Sequence, residues 1–356
     1  MLRYILIRTV WIFIVLVTFL SLLFITIRLV PEYPPNEEDA RNSYYADLAS
    51  KGYYTVETIT DPDTVQEIKD DEYERCDGCY YRNDGDSYRV YIPVPIITQY
   101  FIFVENVALR WDWGNSTRIR VNVDVFEIIE SRLPITMRIN FLALLVFMPV
   151  GFFLGILAAL RKNKLTDNLI SLGVMVFISV PSFVVMLFLI MLIAFNVSWI
   201  PSSFPSSDNT GLIQVTGLIL PVMGISLGAI AGLTRLTRAE LTEVLTSEFL
   251  LLARTKGLTR TQAVIRHAMR NSMVPLVPVI IFSFVALLSG SVIIERLYRI
   301  PGMGSVYLQA LTPNNFDYNL ILALSAFYTF ISLFAVLLVD LTYGLVDPRI
   351  RMGARK

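Results

Sequence analysis

Histidine is almost missing from this chain: His267 is the only one in 356 residues. Charge is missing from its apolar stretches too. Six windows, about 9–27, 141–160, 169–195, 212–233, 272–294 and 319–339, contain no Asp, Glu, Lys, Arg or His. Ion-coupled transporters and proton relays place carboxylates or histidines inside such segments, so a secondary transporter or channel is disfavoured. No GxxxxGK[ST] phosphate loop occurs, so the chain is not expected to bind and hydrolyse ATP itself. GISLG (224–228) matches the G-x-S-x-G nucleophile pattern. Ser226 has no obvious base, however, because the lone histidine falls in a polar loop, and a membrane-embedded hydrolase is disfavoured. Small residues that let helices pack closely explain GISLG better. No catalytic residue, metal site or cofactor is expected in this chain. There are two cysteines, Cys76 and Cys79, in the run CDGC. A local disulfide across the Asp-Gly turn is favoured over free thiols. A redox motif is less favoured, since the pair does not open a helix that would lower a thiol pKa.

What is abundant is apolar surface. The chain is 54% hydrophobic with a mean hydropathy of +0.58, and each window approaches the ~20 residues a helix needs to cross a bilayer. The first window is too long, and too poor in a cleavage site, for a removed signal peptide. The zero net charge hides an asymmetry. With the N-terminus inside, residues 1–8, 161–168, 234–271 and 340–356 share one side and carry 16 of the 30 Lys and Arg but six of the 30 acids. The positive-inside rule then puts both termini in the cytoplasm. Pro149, Pro181, Pro221, Pro275 and Pro278 interrupt the spans. Kinks for packing and helices bent around a cavity are both compatible with them.

A long polar insertion, about 33–137, separates the first two spans. Its portion 36–95 holds 15 acids, six bases and nine of the 17 tyrosines, too aromatic for simple disorder. YYTVETIT (53–60) alternates as a strand, and DTVQEIKDDEYER (63–75) follows as a helix capped by Asp63. YYRNDGDSYRVYIPV (80–94) forms a hairpin around Asp84-Gly85. A small α+β module is expected, outside the membrane. It is either a passive elaboration or, through its charge and tyrosines, a contact surface.

The basic stretch ARTKGLTRTQAVIRHAMRN (253–271) has no acid. Upstream, 239–257 is expected to be one helix, with Leu241, Val244, Leu245, Phe249 and Leu252 at helical spacing. Lys256 and Gly257 mark its end. Thr259 and Gln262 form a T-x-x-Q capping box that opens a second helix, in which Val264, Ile265, Ala268 and Met269 share a face and Arg266 and Arg270 project elsewhere. By composition this is a basic helix on anionic lipid. DNA binding is a poor alternative because the membrane tethers both ends, and no nucleic-acid partner is expected.

The residues of this stretch resemble the EAA-type loop of ABC importer permeases of the dipeptide/oligopeptide branch. Ala253, Gly257, Arg266, His267, Ala268, Arg270, Asn271 and Pro275 fit its A-R-x-K-G-L and R-H-A-x-R-N runs. Leu251 departs, standing where that branch often has a charged residue. Further similarity lies in QYFIFVENVALRWDWGNS (99–116), ESRLPIT (130–136), VPSF (180–183), SWIP (198–201), ERLYRIPGMGSV (295–306), FDY (316–318) and LVDLTYGLVDPRIR (338–351). In all it covers about 1–35 and 96–352. The fold class this implies is an all-α polytopic membrane protein with six transmembrane helices of the type I ABC importer fold and a small α+β extracytoplasmic insertion.

The implied organisation is 1–32, a cytoplasmic end and first span; 33–132, an extracytoplasmic region with the acidic insertion 36–95; 133–344, the type-1 permease core; and 345–356, a cytoplasmic tail. The implied setting is the bacterial cytoplasmic membrane. The implied partners are a second homologous permease, two ABC ATPase subunits, an extracytoplasmic substrate-binding protein, a peptide substrate and membrane lipid. Nickel or glutathione uptake is the alternative within the family; nickel wants imidazole or thiolate ligands, and the one histidine is on the cytoplasmic loop. The resemblance makes Ala253, Arg254, Lys256, Gly257, Val264, Ile265, Arg266, His267, Met269, Arg270 and Asn271 the loop through which ATP-driven closure of the ATPases moves the permease. Val264, Ile265 and Met269 are expected to fill a groove, with Arg266 and Arg270 meeting carboxylates at its rim.

Overall fold

The computed structural model describes residues 2–30, 34–35, 37–69, 75–76, 78–206, 211–288 and 290–346. The chain divides into two compact units: Ile14–Ile128 with Gln309–Ala326, and Met1–Phe13 with Ile129–Leu308 and Phe327–Lys356.

Helix α1 (Leu2–Arg28) opens the chain. In the insertion unit it is followed by α2 (Glu38–Ser50), β1 (Tyr54–Ile59), α3 (Pro62–Lys69), β2 (Tyr80–Asn83), β3 (Tyr88–Pro93) and α4 (Ile96–Glu105). The strand at 54–59 and the hairpin around Asp84-Gly85 form as expected, Gly85 taking a left-handed φ of +95°. The order β1-β3-β2 is antiparallel throughout, so β1 pairs with the far strand of the hairpin, Val56 opposite Tyr91. Helix α2 was not anticipated. Helix α3 is capped by Asp61, two residues earlier than Asp63: the Thr64 N–H donates to Asp61 Oδ2 at 3.2 Å. Pro62 explains the shift, because at the first helical position its missing N–H costs nothing. Residues 70–74 of the expected helix lie outside the described residues. Cys76 and Cys79 are joined by a disulfide with their Cα atoms 5.5 Å apart.

The tyrosines correct the idea of an aromatic contact surface. Tyr44, Tyr45, Tyr53, Tyr54 and Tyr91 are buried in one cluster with Tyr80 packed against it, and Tyr88 joins Val65 and Ile68 in a second. Tyr45 stacks on Tyr80 with ring centres 4.2 Å apart. Burial pushes the hydroxyls of Tyr53 and Tyr80 above the ordinary tyrosine range. A 60-residue module has little aliphatic material to bury, and its tyrosines supply the core instead.

The membrane-grade helices follow. Helix α5 (Val125–Leu160) contains Pro134 and Pro149 without a break, and it runs through the 132/133 boundary drawn from the sequence. Then come α6 (Leu165–Ser179), α7 (Ser182–Leu189), α8 (Leu212–Thr216) and α9 (Ile219–Leu245), and later α13 (Val277–Val285), α14 (Val292–Leu297), α15 (Met303–Ala310) and α16 (Tyr318–Val346). Among the described residues four tracts, Leu6–Arg28, Val125–Leu160, Leu212–Leu245 and Tyr318–Thr342, are long and apolar enough to cross a membrane. Two further tracts qualify only as bent pairs. Leu165–Ser179 and Ser182–Ala194 meet at 100°, where Val180 is extended as a residue before proline tends to be. Thr261–Ser272 and Val277–Val285 meet at 58° across Pro275. The window 272–294 is therefore not one straight helix. Its nine-residue α13 reaches only about 14 Å at 1.5 Å per residue.

Helices α5 and α9 pack closely through small residues, all within the helical unit. A Cβ at Gly155 would lie 2.6 Å from Thr237, and one at Gly151 3.0 Å from Leu233. Thr234 Oγ1 donates to the Gly151 carbonyl and Ser226 Oγ to that of Ala143. Ser226 thus serves packing, and a Cβ on Gly224 would meet Met186 Sδ at 2.9 Å, as expected for small residues between membrane helices. One core cluster of this unit gathers Ile139, Met186, Leu220, Ile294, Tyr298 and Ile300.

Candidate functional site

The basic loop is built from α10 (Glu248–Thr255), α11 (Arg260–Ala263), a π-helical turn over Val264–Ala268 and α12 (Met269–Ser272). The single helix expected over 239–257 is two. Helix α9 stops at Leu245, and Ser247 is extended before α10. The hydroxyls of Thr246 and Ser247 turn back onto the carbonyls of Glu243 and Val244 at 2.9 and 2.5 Å, a local alternative to the helical ladder. The break rotates α10. Leu250 and Ala253 become buried, while Phe249 and Leu252, expected on the inner stripe with Leu241, are exposed.

The elbow forms where it was expected. Gly257 takes φ +93° and its N–H donates to the Arg254 carbonyl at 3.0 Å. Nothing lies within 4 Å of a Cβ placed there, so backbone conformation, not space, favours glycine. Thr259 and Gln262 exchange both bonds of the capping box. The Thr259 N–H donates to Gln262 Oε1 at 3.1 Å and the Gln262 N–H to Thr259 Oγ1 at 3.3 Å.

The π turn alters the face that helical periodicity predicts. It inserts a residue, so positions five apart align: Ala263 and Ala268 both point inward, with Val264. The two alanines pack with Leu241, Leu250 and Ala159 in a core cluster that Ile156, Val244, Leu245 and Leu258 flank. Val264, 7% exposed, is likewise covered by its own chain, which corrects its assignment to a groove on another protein. Met269 is half-buried. Ile265 is 65% exposed, and with Leu251 at 63% it heads an unpartnered apolar set completed by Leu252 and Phe249. Arg254, Lys256, Arg266, His267, Arg270 and Asn271 are all exposed. One face of the loop is clamped to α5 and α9; the other presents apolar side chains among cations.

Beside it, Asp167 of α6 and Arg238 of α9 form a two-bond ion pair, Nε to Oδ1 at 2.6 Å and Nη2 to Oδ2 at 2.8 Å, with the Asn163 N–H also donating to Oδ2. Ile170, Val174, Met175, Ile178, Arg235 and Arg238 line a crevice of about 480 Å³ between these helices.

Two more buried carboxylates, Glu295 and Asp317, were like Asp167 not singled out from the sequence. Glu295 accepts from Thr136 Oγ1 at 3.0 Å and the Ser305 N–H at 2.9 Å. A Cβ at Gly302 would come within 2.6 Å of both Glu295 and Thr136, so this glycine of RIPGMGS makes room for the tie between α5 and the α14–α15 corner. In the insertion unit, Asp317 Oδ2 accepts from Ser116 Oγ at 2.6 Å and from the N–H groups of Thr117 and Arg118 at 3.0 and 3.1 Å, and Oδ1 caps α16 through the Leu320 N–H. An Asp just ahead of a helix was the available signal; its partners, some 200 residues away, left none.

Residues 151–352 match the family described as "Binding-protein-dependent transport system inner membrane component". The dipeptide transport system permease protein DppB of Bacillus subtilis (strain 168) is 32% identical over 258 residues, 72% of this chain and 80% of that protein. The oligopeptide transport system permease protein OppB of Salmonella typhimurium is 32% identical over 257 residues, 72% of this chain and 81% of that protein. Among solved structures, an amino acid ABC transporter with histidines aligns with 60% of this chain and 93% of its own, at 19% identity and a TM-score of 0.43.

Proposed function

We propose, from the premise that this chain belongs to the family of binding-protein-dependent transport system inner membrane components, that it is the permease subunit of an ATP-driven importer of di- and oligopeptides. It lines half of the translocation path beside a second, homologous permease. Two cytoplasmic ATPase subunits supply the energy, and an extracytoplasmic binding protein delivers the peptide. Both termini and the basic loop face the ATPases.

One observation carries the reading: the loop's inner face is fastened to the helical core while Phe249, Leu251, Leu252 and Ile265 stay exposed among Arg254, Lys256, Arg266 and Arg270. Exposed apolar residues rimmed by charge mark a protein contact. Fastening one face gives such a contact leverage on α5 and α9, so a push on the loop reaches the helices that pack through Gly151 and Gly155. Ile265 fills a groove on the ATPase, and Arg266 and Arg270 meet its carboxylates.

The test is copurification with the two ATPases, followed by ATP-dependent uptake of labelled peptides into proteoliposomes. Uptake is expected to survive collapse of proton and sodium gradients at constant ATP. Its loss there would move the chain to the secondary transporters, and uptake of nickel or glutathione in place of peptide would move it within its family.

A further inference from the structure

Helix α4 is extended by a π turn over Asn106–Arg110, and its three faces have different surroundings. One packs on the outer end of α1: the hydroxyls of Tyr100 and Ser21 lie 2.7 Å apart, and Phe103 stacks on Phe24 with ring centres 4.8 Å apart. A second meets the tyrosine cluster through Ile102. The third, Ile97, Phe101, Val104 and Ala108, repeats at helical spacing and is exposed. Its Phe101 ring meets the edge of the neighbouring Tyr100 at 5.7 Å, and Leu109 and Trp111, exposed beyond it, extend it.

The depth of α4 shows what covers that stripe. Ser21 precedes Arg28 by seven residues, about 10 Å along a helix rising 1.5 Å per residue. Arg28 marks the polar end of α1, its guanidinium 4.7 Å over the Tyr53 ring and 5.4 Å over that of Tyr318. Tyr100 therefore reaches well to the apolar side of that level. There its neighbour α1 exposes Phe19, Leu22 and Ile25, a surface that in an inner membrane component belongs to lipid. The stripe of α4 lies at the depth of this surface. Its polar groups sit at its edge or end, as an interfacial helix requires: Glu105 paired with Arg110 at 3.5 Å, and Trp111 at the terminus.

We propose that α4 lies in the headgroup–acyl boundary of the leaflet at the Arg28 end of α1, with Ile97, Phe101, Val104 and Ala108 against phospholipid chains. It acts as a strut: Ile102 fixes the tyrosine-cored module to a helix that the membrane itself holds.

The test uses the full chain in its purified complex. A cysteine in place of Phe101, or of Ile97 should that variant assemble better, carries a bimane label; the native cysteines are already paired. Nanodiscs of phosphatidylethanolamine and phosphatidylglycerol contain lipid with a nitroxide on the acyl chain. The label at Phe101 is expected to lose as much emission as one at Leu22, and one at Asp86 in the hairpin turn to keep its own. Iodide in the buffer is expected to give the reverse. Quenching of the Phe101 label by iodide but not by lipid would put the stripe in water. Quenching by neither would put it under another subunit. Either result overturns the proposal.

Discussion

The tyrosine-rich module and the basic loop draw on similar materials, apolar or aromatic side chains amid charge, and distribute them in opposite ways. The module turns its tyrosines inward, so that Tyr45 alone meets the rings of Tyr44, Tyr54, Tyr80 and Tyr91. The loop turns Ala263, Val264 and Ala268 inward and leaves Phe249, Leu251, Leu252 and Ile265 outside. A region that must be stable by itself uses its apolar surface for a core, whereas one completed by a partner keeps some in reserve. Charge does not separate the two cases. Burial does.

The sharpest way to break this contrast is Tyr45→Ala. If the tyrosines are the module's core, the cost approaches that of other buried aromatic truncations, about 3–5 kcal/mol. Limited proteolysis is expected to cut within 37–95 while the rest of the chain still assembles. A module that stays resistant would show that its order comes from elsewhere. The loop's elbow comes next. Gly257→Val places a β-branched residue at a left-handed φ, a strain of about 1–2 kcal/mol, and peptide uptake at matched assembly levels is expected to fall, with Gly257→Asn retaining more of it. Uptake equal to wild type in the Val variant would remove the elbow from the coupling path.

Ile265→Ser and Val264→Ser then separate adjacent residues. The exposed Ile265 is expected to change thermal stability by no more than about 0.5 kcal/mol yet weaken recovery of the ATPases. Val264→Ser is expected to lower stability first. Equal behaviour of the pair would mean that the π turn does not set the face. The smallest effect belongs to Asp61. The hydroxyl of Thr64, and then its N–H, hold the Asp61 carboxyl below its ordinary range. A carboxyl lowered by folding adds stability above its unfolded pKa and gives it up as pH falls through the folded one. Hydrogen exchange in α3 is therefore expected to quicken only in acid, and Asp61→Ala to show that faster exchange already at neutral pH.

Much of the loop was legible because its signals are local. Lys256-Gly257 and the T-x-x-Q pair act over three or four residues, and both features formed as spacing implies. The face that the second helix presents was not legible, because one extra residue in the π turn re-aims everything after it. The five prolines make the same point at larger scale. Pro149 lies inside an unbroken helix and Pro221 in the first turn of α9, just after its break from α8, whereas at Pro181 the chain bends by 100°. A proline only removes one donor and crowds one carbonyl; whether the helix continues depends on the neighbours that re-satisfy what is freed.

The sequence by itself determined the apolar tracts, the asymmetry of basic charge, the hairpin and the elbow, since each depends on composition or on contacts a few residues long. Tertiary structure alone decided that the tyrosines form a core, that Ile265 rather than Val264 faces outward, and that Asp317 ties down residues 116–118 from 200 positions away. Those outcomes depend on which distant atoms come to share a space, and spacing along the chain does not encode that.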